Sequence, residues 1–460
     1  MAKKFRPYQP TQSLLFPPSP VDWLPEGHLA FFIMDLVKEL DLSEIYAPYE
    51  RELRGYPPHD PGMMTALLLY AYAVGLPSSR MIERKTWEDV AFRVVAGGTH
   101  PDHSAISEFR RRHLEALSGL FVQVLRLCQK AGLVRLGHVS LDGTKLKANA
   151  SKHKAMSYGR MKKTERELAQ KVERMLSQAE KMDVEEDARY GKDKRGDEIP
   201  GELGRASERL ARIRKLKAQL EAEAAEQAKA GKGADSRSER NGPDDDPPPS
   251  GGDDLPSHKV RAYKDGTPKD KAQRNLTDPE SRIQKTRDGF IQGYNAQAVV
   301  DDAHQVIVAQ ALTNQPPDVE HFEPLMRRAV EGCGRPPKQA SLDNGYWSAE
   351  NVEAAIAMGI DVYIATGRPK HGEKPIATRG PLPKDATPKQ RMARKLSTKK
   401  GQAIYARRKC IVEPVFGQIK GARGLRQLLL RGLTKARGEW SLHCLTHNLL
   451  KLHRAAVATA

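Results

Sequence analysis

The 460-residue sequence predicts a mixed α/β sheet set between an all-helical N-terminal region and a C-terminal helix, with a helical hairpin inserted into it. Three observations predict this. Apolar residues recur at helical spacing through residues 1–132. Apolar strands then alternate with amphipathic helices on the far side of residue 280. Between 151 and 279 the composition shifts to charged heptads, then to a run rich in Gly, Pro, Ser and Asp.

Taken in order, "HLAFFIMDLVKELDL", "PGMMTALLLYAYAVG", "SSRMIERKTWEDVAFRVVAGG" and "HSAISEFRRRHLEALSGLFVQVLRLCQKAG" read as helices punctuated by Pro57, Pro58, Pro61 and Pro77. Two short helices around "PDHSAISEFRRRH" resemble a helix-turn-helix. A plain helical packing unit, with Arg110, Arg111 and Arg112 as a solvated face, reads equally well. Val134–Lys147 reads as a buried strand. Residues 151–230 hold two long charged helices, an expected antiparallel hairpin. Residues 231–279 cannot bury a core and are expected to be a disordered linker. The strands on either side of this block have no other partners, so it interrupts one α/β domain, residues 133–150 with 280–440. In that domain "GFIQGYNAQAVV" and "HQVIVAQALTN" form a hairpin, with Asp301 and Asp302 as turn residues. A helix, a strand ending in "SLDN", a helix capped by Ser348, the strand "IDVYIAT" and a helix over "AIYARRKCIVEPVFGQIKGA" follow. Residues 441–460 are the C-terminal helix.

Composition narrows the function classes. The net charge of +18 favours a polyanionic partner, a nucleic acid or an anionic membrane surface. Residues 366–437 carry 20 Lys and Arg against 3 Asp and Glu, so one segment holds almost the whole excess. The longest apolar run, Thr65–Gly75, is too short for a bilayer, which needs about 20 residues, and the N-terminus has no apolar stretch of a secretory leader. Cys128, Cys333, Cys410 and Cys444 are scattered and read as reduced thiols. His443, Cys444 and His447 read as a helix packing face, and Asn295 in "GYNAQ" either as a neighbour of the site or as a strand-start hydrogen bond.

Two strands end alike, in "SLDG" (Ser140–Gly143) and "SLDN" (Ser341–Asn344). Ligand sites in open α/β sheets form beyond the carboxyl ends of strands. If the two strands are neighbours, Asp142 and Asp343 face one crevice, where they repel unless a cation neutralises them. Mg²⁺, a hard ion held by carboxylate oxygens, is the natural occupant. Glu413 is the only acid in its basic helix and the candidate third carboxylate of a two-metal site. It is also open to reading as a salt-bridged surface residue. Pro414 disfavours helical geometry at the residue before it, so a kink or a helix start is expected there.

These motifs resemble insertion-sequence transposases of the DDE class, across essentially the whole chain. The stretches that carry the resemblance are "FRPYQPTQSLLFPPSPVDWLPEGHLAFFI", "PPHDPGMMTALLLYAYAVGLPSSRMIE", "PDHSAISEFRRRH", "SLDGTKLKANAS", "TDPESR", "GYNAQAVVD", "SLDNGYW", "YARRKCIVEPVFGQIKGARGLRQLLLRGL" and "CLTHNLLKL". The resemblance implies a ribonuclease-H-like catalytic domain in which Asp142, Asp343 and Glu413 hold two Mg²⁺ or Mn²⁺ ions. It implies a Tyr, Arg, Glu, Lys pattern that grips DNA phosphates. Lys420 stands where that pattern asks, Lys409 takes the Arg slot and Ala406 the Tyr slot, while Tyr405 and Arg408 stand one residue early. With Arg423, Arg110 and Arg111, these are the expected DNA contacts. The implied activity is cleavage at terminal inverted repeats and joining of the 3′-OH ends to target DNA. The implied partners are double-stranded DNA and further copies of the chain, as a homodimer or larger assembly. The implied location is the bacterial cytoplasm, on the nucleoid. A related nuclease that cuts without joining, or an inactive transposase-derived DNA-binding protein, are the alternatives.

Overall fold

The structure is a computed structural model that describes residues 19–51, 57–190, 201–237, 255–367, 380, 382–383 and 385–459. The chain divides into two compact units, residues 1–123 with 452–460, and residues 124–451.

The first unit is helical: α1 (Leu29–Glu39), α2 (Ser43–Arg51), α3 (Pro61–Ala73), α4 (Ser79–Glu88), α5 (Val90–Val95), α6 (His103–Arg112) and the start of α7 (Leu114–Lys130). Helix α3 is apolar on every side and is the buried centre, with Leu67, Leu69, Ala71 and Tyr72 fully enclosed. Asp60 caps its first turn and Pro61 occupies N1. The stretch read as two short helices is one helix, α6, capped by Asp102 and broken from α7 at His113. The expected solvated arginine face is also corrected. Arg110 is buried, donating to Tyr72 Oη, Pro77 O and Ser79 Oγ. Arg111 stays exposed beside Glu108.

The second unit is built on a mixed sheet. Its strands are β1 (His138–Lys147), β4 (Arg282–Thr286), β5 (Gly289–Asp301), β6 (Ile307–Thr313), β7 (Gln339–Leu342) and β8 (Asp361–Ile364), the intervening β2 (Ala155–Ser157) and β3 (Gln273–Asn275) forming a separate ladder. Strand β1 is central, antiparallel to β5 and parallel to β7; β8 extends the parallel side, and β4 and β6 both pair with β5. The sequence reading had no β4, a short strand whose apolar signal is a single Ile. Helices α10 (Phe322–Cys333) and α11 (Ala349–Ala357) connect β6, β7 and β8. At the turn after β5, Asp301 accepts from Leu136 N and Ala303 N.

The inserted block begins and ends at the β2–β3 ladder, which brings its ends together, so a long excursion adds little strain to the sheet. Between them α8 (Tyr158–Tyr190) and α9 (Gly201–Arg237) form the expected antiparallel hairpin. Glu165 accepts from Arg214 and Lys217, while Lys171 faces Glu202. Buried Leu203, Leu210, Ile213, Leu216, Leu220 and Ala224 trace the apolar stripe of α9. The expected disordered linker is corrected over residues 231–237, which end α9, and over 255–279, where β3 forms and Val260 and Ala272 are buried against α9; residues 238–254 lie outside the described residues.

After β8 come α12 (Pro388–Ser397), α13 (Lys399–Ala406), α14 (Arg408–Ile411), α15 (Glu413–Gly417), one π-helical turn over Gln418–Ala422, and α16 (Leu433–Thr459). The helix expected across "AIYARRKCIVEPVFGQIKGA" is thus broken into pieces. A new helix starts at Glu413 with Pro414 in its first turn, where the missing N–H is harmless. Helix α16 begins well before residue 441 and is bonded to the sheet. Trp440 Nε1 donates to Gln297 O, and Asn448 pairs with both backbone groups of Ile307. His443 and Cys444 are fully buried in it, as a packing face requires. All four cysteines are free thiols.

Candidate active site

The parallel register pairs Ser140 with Ser341 and Leu141 with Leu342, which sets Asp142 and Asp343 side by side as the next step of the ladder. Each carboxylate is oriented by a glycine N–H just beyond it: Gly143 N donates to Asp142 Oδ1 and Gly345 N to Asp343 Oδ1, both at 2.8 Å. Gly143 is therefore no turn glycine. It continues the strand, and a Cβ there would lie 2.5 Å from Gln297 Nε2.

Burial pushes the Asp142 carboxyl up to about 6; Arg408 opposes this and Asp343 adds to it. Asp343 is raised too, first by burial, with Asp318 adding and Arg408 opposing. Two half-buried carboxylates side by side, both raised by burial, suit a cation. The cation in contact is Arg408, whose Nη1 donates to Asp142 Oδ2 at 2.8 Å and whose Nη2 reaches Glu413 Oε1 at 3.4 Å. Glu413, half exposed, thus joins Asp142 through a guanidinium.

This modifies the expected three-acid metal centre. Among the described residues, no group of three or more His, Cys, Asp and Glu side chains is placed to hold a metal ion. The hard-oxygen pair Asp142 and Asp343 fits a divalent cation, while Glu413 does not converge on the pair in this conformation.

The basic residues separate into those at the site and those away from it. Lys420 is half buried, which lowers its pKa, and donates to Thr144 Oγ1 two residues beyond Asp142. Tyr405, Arg408 and Lys409 line a cleft of about 620 Å³ just past the end of β8. Burial raises the Tyr405 pKa, Arg408 lowering it and Asp343 raising it. Arg423 is elsewhere: it is buried, donating to His443 O and Thr446 Oγ1, and burial pulls it down to about 10. Arg110 and Arg111 belong to the first unit.

The sequence reading missed a polar layer behind the acids. Asp318 accepts from Asn295 Nδ2 (2.6 Å), Gln297 Nε2 (2.7 Å) and Lys145 Nζ (3.2 Å). The buried Tyr346 hydroxyl donates to Gln297 Oε1. Asn295 is thus tied to the site through Asp318. A signal was present in "YNAQA", where two amides alternate with alanines inside an apolar strand and so share one face. Asp318 follows two prolines in a loop and carries no periodic signal.

Paired carboxylates just past the parallel β1–β7 ladder, beside a basic cleft, define an α/β protein suited to holding a cation against phosphate. The expectation that Asp142 ends its strand is corrected, since β1 runs on to Lys147 beside β5. The family comparisons make this specific. The family described as "Transposase DDE domain" matches residues 378–453, which include Arg408, Glu413 and Lys420, and "Transposase domain (DUF772)" matches residues 19–112. Transposase sequence at both ends of the chain bears out the resemblance to insertion-sequence DDE transposases and indicates a transposase. No curated protein and no solved structure matches the chain.

Proposed function

We propose that the chain cleaves phosphodiester bonds at the terminal inverted repeats of an insertion sequence and joins the freed 3′-OH ends to target DNA. The observation that carries this reading is the Asp142–Asp343 pair on neighbouring parallel strands, with Glu413 tied to it through Arg408. The strand order β6-β5-β1-β7-β8, three antiparallel strands followed by two parallel ones, supports a ribonuclease-H-like catalytic domain.

Asp142 and Asp343 are the residues that would hold Mg²⁺ or Mn²⁺, two ions once Glu413 joins them. The ions would supply charge stabilisation of the attacking and leaving oxygens. Glycine N–H groups fix where the two carboxylates point, and the Asp318 network holds the residues behind them. Tyr405, Arg408, Lys409 and Lys420 are suited to orienting a backbone phosphate; Arg408, freed from Asp142, offers it a bidentate fork. Positioning and charge then carry the chemistry. The first unit would read repeat DNA, with Arg111 an exposed arginine of α6 and Arg110 confined to packing. The protein would act as a homodimer or larger assembly on DNA, in the bacterial cytoplasm at the nucleoid. Among the described residues no helix is long and apolar enough to cross a membrane.

The test is a strand-transfer reaction with labelled element ends, a supercoiled target and Mg²⁺. Joined products support transposition. Cut ends that never join favour the nuclease reading, and repeat-specific binding without cutting favours the inactive DNA-binding reading.

A further inference from the structure

A cavity of about 370 Å³ lies in the second unit, between the base of the helical hairpin and the outer sheet edge formed by β4 and the start of β5. Arg261, Lys271, Arg274 and Arg282 line it, and among the described residues no carboxylate does. Arg274 pairs with Glu223. Arg282 is buried, 8% exposed; its Nη1 donates only to the carbonyls of Pro279 and Ser281, and its Nε has no partner. Burial, then Arg274, pulls Arg282 down to about 10. The lining His258 is held near 4 by burial and by Arg282, Arg274 and Arg261 together, so it stays neutral and can hydrogen-bond through either ring nitrogen. Gln292 Oε1 also lacks a partner. Phe290 stands at the rim, 59% exposed.

Arg261 and Lys271 are exposed and Arg274 has Glu223, but buried Arg282 has no carboxylate in contact among the described residues, which is costly without an anion. The volume suits a small ligand and excludes a duplex. A cationic floor, unused hydrogen-bonding atoms and an exposed aromatic rim match the phosphate, base edge and base face of one nucleotide. We infer that this cavity takes a single unpaired nucleotide of a DNA strand, phosphate on Arg274, Arg282 and Lys271, base against Phe290. The inference rests on the reading that the chain acts on DNA; it adds a second DNA contact, built by the insertion and apart from the paired acids.

The test uses the full-length protein and fluorescein-labelled oligonucleotides: a blunt duplex, the same duplex with a single-stranded overhang, and dAMP as competitor. The variants are Arg261→Gln with Lys271→Gln, and Phe290→Ala, all exposed positions whose folding is checked by thermal melting. Each variant is expected to lose about tenfold in affinity for the overhang duplex and to bind the blunt duplex as wild type does. Equal losses on both duplexes, or no loss on either, overturn the pocket while leaving the DNA reading standing. Displacement of the overhang by dAMP at the oligonucleotide's own concentration overturns the strand as its source. Wild type that binds no DNA overturns both.

Discussion

At the residue scale the charge state of Asp142 is the most exposed quantity. Its folded pKa of about 6 lies above the ordinary 3.8. The native state binds this proton more tightly than the unfolded chain, so the group favours folding below the unfolded pKa and loses that contribution as pH rises through the folded one. Asp142→Asn removes the titration. The variant should gain stability relative to wild type between roughly pH 4 and 7, by up to about 3 kcal/mol at 1.36 kcal/mol per unit. Urea melts at both pH values check this, and a gap that does not change with pH contradicts it. Arg408→Gln acts the other way. It strips Asp142 of its guanidinium and should cost about 3 kcal/mol at neutral pH. The loss should shrink at pH 4, where the carboxyl is protonated. The same variant removes the cation that competes for the pair, so Mn²⁺, followed by titration calorimetry, should bind Arg408→Gln more tightly than wild type. Asp343→Asn should abolish that binding. Weaker binding by Arg408→Gln would mean that the arginine supports the cation site.

At the element scale β1 carries the arrangement, since its neighbours fix what lies around Asp142. Gly143 faces Gln297 across the β1–β5 ladder, and Gln297 is held by Asp318. Gly143→Ala forces a methyl group into that contact and should cost about 2 kcal/mol by overpacking. A thermal melt indistinguishable from wild type would show that the polar layer yields freely. The strands leading to Asp142 and Asp343 were legible in the sequence because each carries an apolar run into the same tripeptide, although β1 continues past it to Lys147. The helix start at Glu413 was legible because proline admits few conformations. The polar layer was not, because Asp318 reaches it from a loop and nothing local marks a loop residue as buried. Arg110 and Arg423 were misread for one reason: a sequence shows charge, while burial against carbonyls such as Pro77 O and His443 O is decided by tertiary packing. The linker after residue 255 was misread similarly, since Val260 and Ala272 find their core on α9, far away in sequence.

At the scale of the whole molecule the excess charge is concentrated on the segment that also holds Arg408, Lys409, Glu413 and Lys420. A DNA-backbone face of this kind predicts affinity that falls steeply with salt. Lys409→Gln, at an exposed position in the cleft, should weaken binding uniformly across sequences and lower the slope of log K against log salt by about 1. An unchanged slope would place the DNA elsewhere. The proposed action of the Asp142–Asp343 pair on phosphodiester bonds is tested on the element's own DNA. A duplex bearing the element's terminal inverted repeat, labelled on each strand, is incubated with Mg²⁺ and either wild type or Asp343→Asn. Nicking at the repeat end by wild type alone, with both proteins binding the duplex equally, is the predicted result. Equal nicking by both proteins, or binding by wild type without any nick, would contradict it.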